Sequence, residues 1–155
     1  MEGTGSVWNT GSYHWEEKSV NKWAEDTMRS TLSNFNYRWN DALLRISEVK
    51  EMKGESGVSI RKGKKIVSYD YAITLKWACA MMAMEGDKEV ASCEGTFEMP
   101  EISNEEAVDD WEIRVSYTKD TDNLKAILGQ MISGMATKEL RKEIKEKFVD
   151  ELVKK

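Results

Sequence analysis

Few side chains in this 155-residue sequence are suited to catalysis or metal binding. There is one histidine, His14, and there are two cysteines, Cys79 and Cys93. A zinc site needs about four ligands, drawn mostly from Cys and His, and these three lie far apart in the sequence. A nucleophilic Ser-His or Cys-His site would have to use His14 near the amino terminus. The sequence has no glycine-rich phosphate-binding loop. A paired-carboxylate enzyme remains open, because acidic residues are abundant, but no spacing selects a pair.

A basic cluster is the first candidate for binding. Arg61, Lys62, Lys64 and Lys65 put four positive charges into five residues of a chain whose net charge is −5. Two interpretations carry equal weight: a solvated hairpin tip whose charges discourage edge pairing, or an electrostatic contact with an acidic or phosphate-bearing partner.

An acidic region forms the second candidate for binding. Residues 85–122 hold 13 Asp or Glu against 3 Lys or Arg. A surface with separate basic and acidic ends suits oriented docking onto a protein with the inverse pattern. Plain solubility explains the same composition equally well.

The elements that position these residues follow from hydrophobic periodicity. Ser19 is a suitable N-cap for a first helix, whose apolar stripe predicts core packing for Trp23 and Met28. Strict alternation predicts a long, half-buried strand from Ile66 to about Met82, after a turn at residues 53–57 and a second turn at 61–65. Further strands follow at residues 91–99, ended by Pro100, and at 111–117.

The C-terminal part returns to helical spacing. Its predicted apolar stripe consists of Leu124, Ile127, Leu128, Met131, Ile132, Met135, Leu140, Ile144, Phe148 and Leu152. Two amphipathic helices can cover one face of an antiparallel sheet, which predicts an α+β fold with the other face in water. Cys79 and Cys93 fall on the apolar face, so we expect buried free thiols. Composition indicates one cytosolic domain over residues 1–155, with residues 1–12 poorly ordered and no membrane segment.

In this order the motifs resemble a known family, the N-terminal domain of the activators of heat-shock protein 90 ATPase. That family has an N-x-N-N-W-H-W motif, matched here at Asn9, His14 and Trp15, where Gly11, Ser12 and Tyr13 replace the family residues. Its R-K-x-K motif is matched in full by Arg61, Lys62 and Lys64. The resemblance runs from about residue 8 to 153, with further agreement at Glu94-Gly95 and Pro100-Glu101.

The resemblance implies an elongated α+β domain made of an N-terminal helix, a four-stranded antiparallel meander and a C-terminal helix. It implies a cochaperone without an active site, metal or cofactor of its own. The partner would be heat-shock protein 90, bound through its middle segment and also through its N-terminal domain. The bound domain would remodel the chaperone's catalytic loop, favour the closed dimer, stimulate ATP hydrolysis and so support client folding.

Particular residues take roles from this resemblance. Arg61, Lys62 and Lys64 would be the main effectors of ATPase stimulation. The alternation also leaves Ile66 as an apolar residue on the polar face of its strand, which is typical of an interface anchor. Glu55 and Glu105 would add secondary contacts.

Three further expectations concern the chain as a whole. The segment containing Asn9, His14 and Trp15 would modulate nucleotide handling by the chaperone. Larger family members add a START-like domain, so this chain is expected to be a one-domain member or a first domain, and a monomer. The alternative function is an acidic module that contacts nucleic acid or anionic lipid through residues 61–65, which the net acidity opposes.

Overall fold

The computed structural model describes residues 16–83 and 88–155, and the side chains from residue 20 onward. The strands are β1 (Glu16–Ser19), β2 (Asn36–Trp39), β3 (Ala42–Arg61), β4 (Lys64–Met82), β5 (Glu89–Ser103) and β6 (Arg114–Lys119). Helix α1 (Asn21–Ser33) joins β1 to β2. A 3₁₀ turn (Val108–Asp110) precedes β6.

The C-terminal helix is continuous over residues 125–153. It consists of α2 (Lys125–Gln130), α3 (Thr137–Ile144) and α4 (Asp150–Val153), joined by π-helical segments at Met131–Ala136 and Lys145–Val149. Its buried side follows the predicted stripe from Leu128 to Leu152. Ile127 and Met135 are exceptions, because their side chains are 64% and 41% exposed.

The long strands β3, β4, β5 and β6 form an antiparallel meander of four strands, as predicted. Two short strands that the sequence did not indicate add to one edge: β2 pairs with the start of β3, and β1 pairs with its end. The α+β class is confirmed, and the described residues contribute six strands to the sheet.

The predicted turn at residues 53–57 is wrong, because β3 passes straight through it. Gly54 lies opposite Tyr71 of β4 with φ of +156°. A Cβ at this position would collide with the Asp70 carbonyl oxygen and lie 2.7 Å from both Cα and Cδ1 of Tyr71, so the glycine allows close approach of β4 rather than a reversal of the chain.

Two predicted boundaries also shift. Pro100 does not end β5, because it sits in a bulge: Met99 pairs with Ile73 but Ile102 already pairs with Tyr71. A bulge tolerates a residue without an N–H donor. Ser19 belongs to β1, and Val20 occupies the N-cap position of α1 without a side-chain cap.

The core lies between the sheet and the helices. Phe148 of the C-terminal helix is its centre, since its ring lies 5.9 Å from Trp23, 5.6 Å from Tyr69 and 5.9 Å from Tyr71. Met28 is fully buried and Trp23 partly buried, which confirms their predicted packing role. Trp111 precedes β6 and is buried, donating from Nε1 to the Ser103 carbonyl at 3.1 Å.

The C-terminal helix runs along the strands. Near its start, a Cβ on Gly129 would contact the Tyr117 hydroxyl at 3.7 Å. Near its end, Lys65 contacts Val153. Within residues 16–83 and 88–155, no helix covers the opposite side of the sheet, and we call that side the open face.

Candidate functional site at the β3–β4 hairpin tip

The basic cluster forms the two-residue turn that joins β3 to β4. Arg61 pairs with Lys64, and Lys62 and Gly63 connect them with φ of 53° and 76°. Positive φ at both central residues is the signature of a type I′ turn, whose twist matches that of the strands. Lysine in this left-handed conformation costs roughly 1–2 kcal/mol. A strained non-glycine residue at an exposed tip is consistent with selection for its charge.

Register decides which way the side chains of the tip face. Directly paired residues share a face, so Arg61, Lys64, Ser59 and Ile66 all lie on the open face. Ile66 is 44% exposed and sits two residues from Lys64 along the strand. The structure therefore brings Arg61, Lys64 and Ile66 together, with Lys62 at the tip beside them.

Lys65 differs from its neighbours, because it lies on the helix-covered face. Its ammonium donates to the Val153 carbonyl oxygen at 2.6 Å, which ties the hairpin to the end of the C-terminal helix. Ile60 pairs with Lys65 on this side and is 38% exposed. Sequence reasoning missed Ile60 as an exposed residue, because alternation alone assigns it to the core face and gives no sign that the cover ends there.

The predicted acidic contacts lie away from the tip. Glu55 is exposed on the open face opposite Asp70, six residues from Arg61, or about 20 Å along an extended strand. Glu105 is exposed just after β5, where its N–H donates to Ser103 Oγ at 3.3 Å. The structure does not bring either residue into the basic cluster.

Asn9, His14 and Trp15 lie outside the described residues. The strand that follows Trp15 directly, β1, begins with Glu16 opposite Ile60. The chain therefore enters the sheet one residue from Arg61.

The other residues considered for chemistry are the two cysteines. Cys79 and Cys93 are buried free thiols that face each other across β4 and β5, as expected. Their mutual hydrogen bond and their burial raise the pKa of Cys93. Within residues 16–83 and 88–155, no three His, Cys, Asp or Glu residues are arranged to hold a metal ion. No helix in this part of the chain is long and apolar enough to span a membrane.

Two grooves are present in the described part of the chain. One has a volume of about 620 Å³ between the C-terminal helix and the 3₁₀ turn, and is lined by Tyr37, Met135 and Lys142 among others. The other, about 240 Å³, lies on the sheet beside Arg45 and Ala80. Neither groove includes a residue of the basic cluster in its lining.

An antiparallel sheet covered on one side by helices defines a domain of the α+β class, here with a cationic hairpin tip and an apolar residue on its open face. The protein-family model "Activator of Hsp90 ATPase, N-terminal" matches residues 17–155. The chain belongs to this family, which confirms the resemblance seen in its motifs.

Named relatives agree with this assignment. The chain is 34% identical over 121 residues to "Activator of 90 kDa heat shock protein ATPase homolog 2" of Bos taurus, covering 77% of this chain and 45% of the relative. It is 29% identical to homolog 1 of Homo sapiens, covering 77% of this chain and 34% of the relative. It therefore spans less than half the length of these relatives. "Hsp90 co-chaperone HCH1" of Saccharomyces cerevisiae is 26% identical, with 65% of this chain and 69% of the relative covered.

A solved structure shows the same fold. The crystal structure of Aha-1 from Plasmodium falciparum superposes with a TM-score of 0.74 at 28% identity, and the match covers 89% of this chain and 88% of that one.

Proposed function

We propose that this chain is a co-chaperone domain that binds the middle segment of heat-shock protein 90 and stimulates its ATPase. The observation that supports the proposal most is the β3–β4 hairpin tip. Its two-residue turn carries the R-K-x-K motif, Arg61, Lys62 and Lys64, beside Ile66. The proposal extends to the chain what its relatives' names state of them: activators of heat-shock protein 90 ATPase, and a co-chaperone.

The proposed mechanism is differential binding. A domain stimulates turnover only if it binds the active arrangement of the chaperone better than the resting one. Tenfold stimulation needs about 1.4 kcal/mol of such preference. Arg61, Lys62 and Lys64 would supply it by contacting the chaperone's catalytic loop, which favours the closed dimer. Ile66 would strengthen the contact, because its exposed apolar side chain would become buried against the chaperone.

Other proposed contacts are secondary. Glu55 would bind a basic group on the open face, and Glu105 would do so beyond the end of β5. Asn9, His14 and Trp15 would act on nucleotide handling by the chaperone. The domain would act as a monomer and perform no catalysis itself.

The decisive experiment is an ATPase titration of full-length heat-shock protein 90 with this protein. Lys62→Ala should lower stimulation at saturation more than it lowers affinity. Lys62→Gly should behave in the same way, because glycine keeps the left-handed turn and removes only the charged side chain. Lys62→Arg should restore most of the stimulation.

The matched control is Lys53→Ala. Lys53 is an exposed lysine on the open face of β3 that pairs only with Glu51 in the described residues, at 3.6 Å. It should leave stimulation unchanged. A wild-type protein that neither binds nor stimulates the chaperone would contradict the proposal. Binding to single-stranded nucleic acid or anionic vesicles that weakens with salt would instead favour the alternative function.

A further inference from the structure

The edge of β4 next to the basic turn lacks a strand partner among the described residues. The β4–β5 ladder begins only at Asp70 with Ser103. One residue earlier, Asn104 closes the edge: its N–H donates to the Tyr69 carbonyl at 3.3 Å, and its Oδ1 accepts from the Tyr69 N–H at 3.0 Å. Residues 64–68 lie beyond this closure, so a stretch of about 17 Å of strand edge is open.

Register identifies the backbone groups at this edge. In an antiparallel strand, alternate residues direct their N–H and C=O to opposite neighbours. Tyr69 directs its N–H and its C=O toward Asn104, away from β3. Lys65 and Val67 lie four and two residues earlier in the same strand, so their N–H and C=O groups also point away from β3. The N–H and C=O groups of Lys64 and Ile66 point the other way and bond to β3. The open edge therefore presents two donors and two acceptors, from Lys65 and Val67.

A second open stretch shows why this edge is distinctive. On the side away from β4, residues 46–56 of β3 also lack a strand partner in the described chain, because β2 pairs only with residues 42–45 and β1 only with residues 57–60. That stretch carries two register shifts, at Ile46/Glu48 and Val49/Glu51, and bulges are a common protection against edge pairing. Residues 64–68 pair with β3 in unbroken register, so this edge keeps the regular geometry that an added strand requires.

The geometry points to residues 64–68 as a docking edge, to which an extended acidic segment of the chaperone adds as a strand. This inference rests on the proposed function and names its docking mode. Main-chain hydrogen bonds to Lys65 and Val67 would hold the segment, and alternate side chains would give specificity. On the open face it would place an apolar side chain beside Ile66. An acidic side chain two residues away, toward the tip, would lie beside Lys64.

Charge complementarity supports this occupant. The tip end of the edge carries the cationic cluster, while Glu105 follows Asn104 at the closed end. Lysines beside an open edge discourage neutral or basic strands, so the same residues that prevent aggregation would select an acidic partner. The closed end also limits the added strand to about five residues.

The test is amide exchange in the complex. The ¹⁵N-labelled protein, saturated with full-length heat-shock protein 90, is exchanged into D₂O, quenched, released and read by NMR. The Lys65 and Val67 amides should exchange rapidly in the free protein and at least tenfold more slowly in the complex. The Ile66 amide, already bonded to β3, is the internal reference. Unchanged exchange at Lys65 and Val67 in a complex that still stimulates ATPase overturns the edge inference alone.

A variant pair tests the same groups independently. Val67→Pro removes the outward N–H, which an edge strand tolerates, whereas Val67→Ala removes side-chain bulk and keeps the donor. We expect at least tenfold weaker binding for the first and less than threefold for the second. Equal losses overturn the inference. Slower exchange at these amides on raising the protein's own concentration would identify a second copy as the occupant and also overturn it. Absence of any binding overturns both proposals.

Discussion

The side-chain ammonium of Lys65 donates a 2.6 Å hydrogen bond to the backbone carbonyl oxygen of Val153. The last carbonyls of a helix lack intrahelical partners, and a cation there also interacts favourably with the helix dipole. The contact joins the basic turn to the final turn of the C-terminal helix, so one cation of the cluster has a structural role while its neighbours face outward.

Replacing Lys65 should therefore affect stability. Lys65→Met keeps the apolar stem but removes the donor, and we expect a loss of about 0.3–1 kcal/mol in the free energy of unfolding. Urea unfolding measures it. Lys64→Met, on the open face, is the control and should change stability by less than about 0.5 kcal/mol. Equal effects from the two variants would contradict the assigned role of Lys65.

Gly95 should be intolerant of any side chain. It lies opposite Trp77, and a Cβ would come within 2.5 Å of the Trp77 ring and would collide with the Ser116 carbonyl. Gly95→Ala should destabilise the protein by about 1–3 kcal/mol through overpacking. Gly134→Ala is the matched comparison, because nothing lies within 4 Å of its Cβ position. It should stabilise the helix by up to about 1 kcal/mol. Similar unfolding midpoints for the two variants would be the contrary result.

Alkaline pH should lower the free energy of unfolding. Burial raises the pKa of Tyr69, Tyr71 and Tyr117 above the ordinary value of 10.0. Above pH 10 the unfolded chain loses these protons first, so it binds fewer protons than the folded chain and stability falls as pH rises. Below pH 10 this contribution is fully present. Urea unfolding between pH 8 and pH 11 should show the decline, and a flat profile across pH 10 would speak against buried tyrosines.

The two thiols should resist modification. Cys79 and Cys93 are 0% and 1% exposed, so a reagent does not reach either sulfur in the folded protein. The raised pKa of Cys93 also leaves that thiol little of the reactive thiolate. We expect a thiol-reactive disulfide reagent to label neither cysteine in the native protein at pH 8, and to label both after unfolding in urea. Rapid labelling of the native protein would show that this part of the sheet opens readily.

Periodicity predicted the fold well where one face is buried along its whole length. The strand from Ile66 to Met82 was predicted almost to its ends, because alternate residues enter the core. Local sequence signals gave wrong predictions where a tertiary contact determines the backbone conformation. Gly54 suggested a turn but accommodates Tyr71, and Pro100 suggested an end but occupies a bulge. Ile127 fits the helical stripe, yet its side chain is 64% exposed.

The site was predictable in composition but not in arrangement. The cluster of cations and the outward position of Ile66 follow from sequence. The same alternation puts Lys64 and Lys65 on opposite faces, but which of them shares a face with Arg61 depends on the register of the two-residue turn. The open edge at residues 64–68 depends on where Asn104 closes the ladder with Tyr69, a contact 35 residues distant in the chain.

The alignment of the C-terminal helix with the long hairpin also affects how the domain tumbles. A helix of 29 residues is about 44 Å long and lies along strands of 20 and 19 residues, so rotational diffusion is anisotropic. Helical N–H bonds are nearly parallel to the long axis, whereas strand N–H bonds are perpendicular to it. Helix amides will therefore show higher ¹⁵N R2/R1 ratios than strand amides of equal rigidity, which makes the ratio a measure of orientation in this protein.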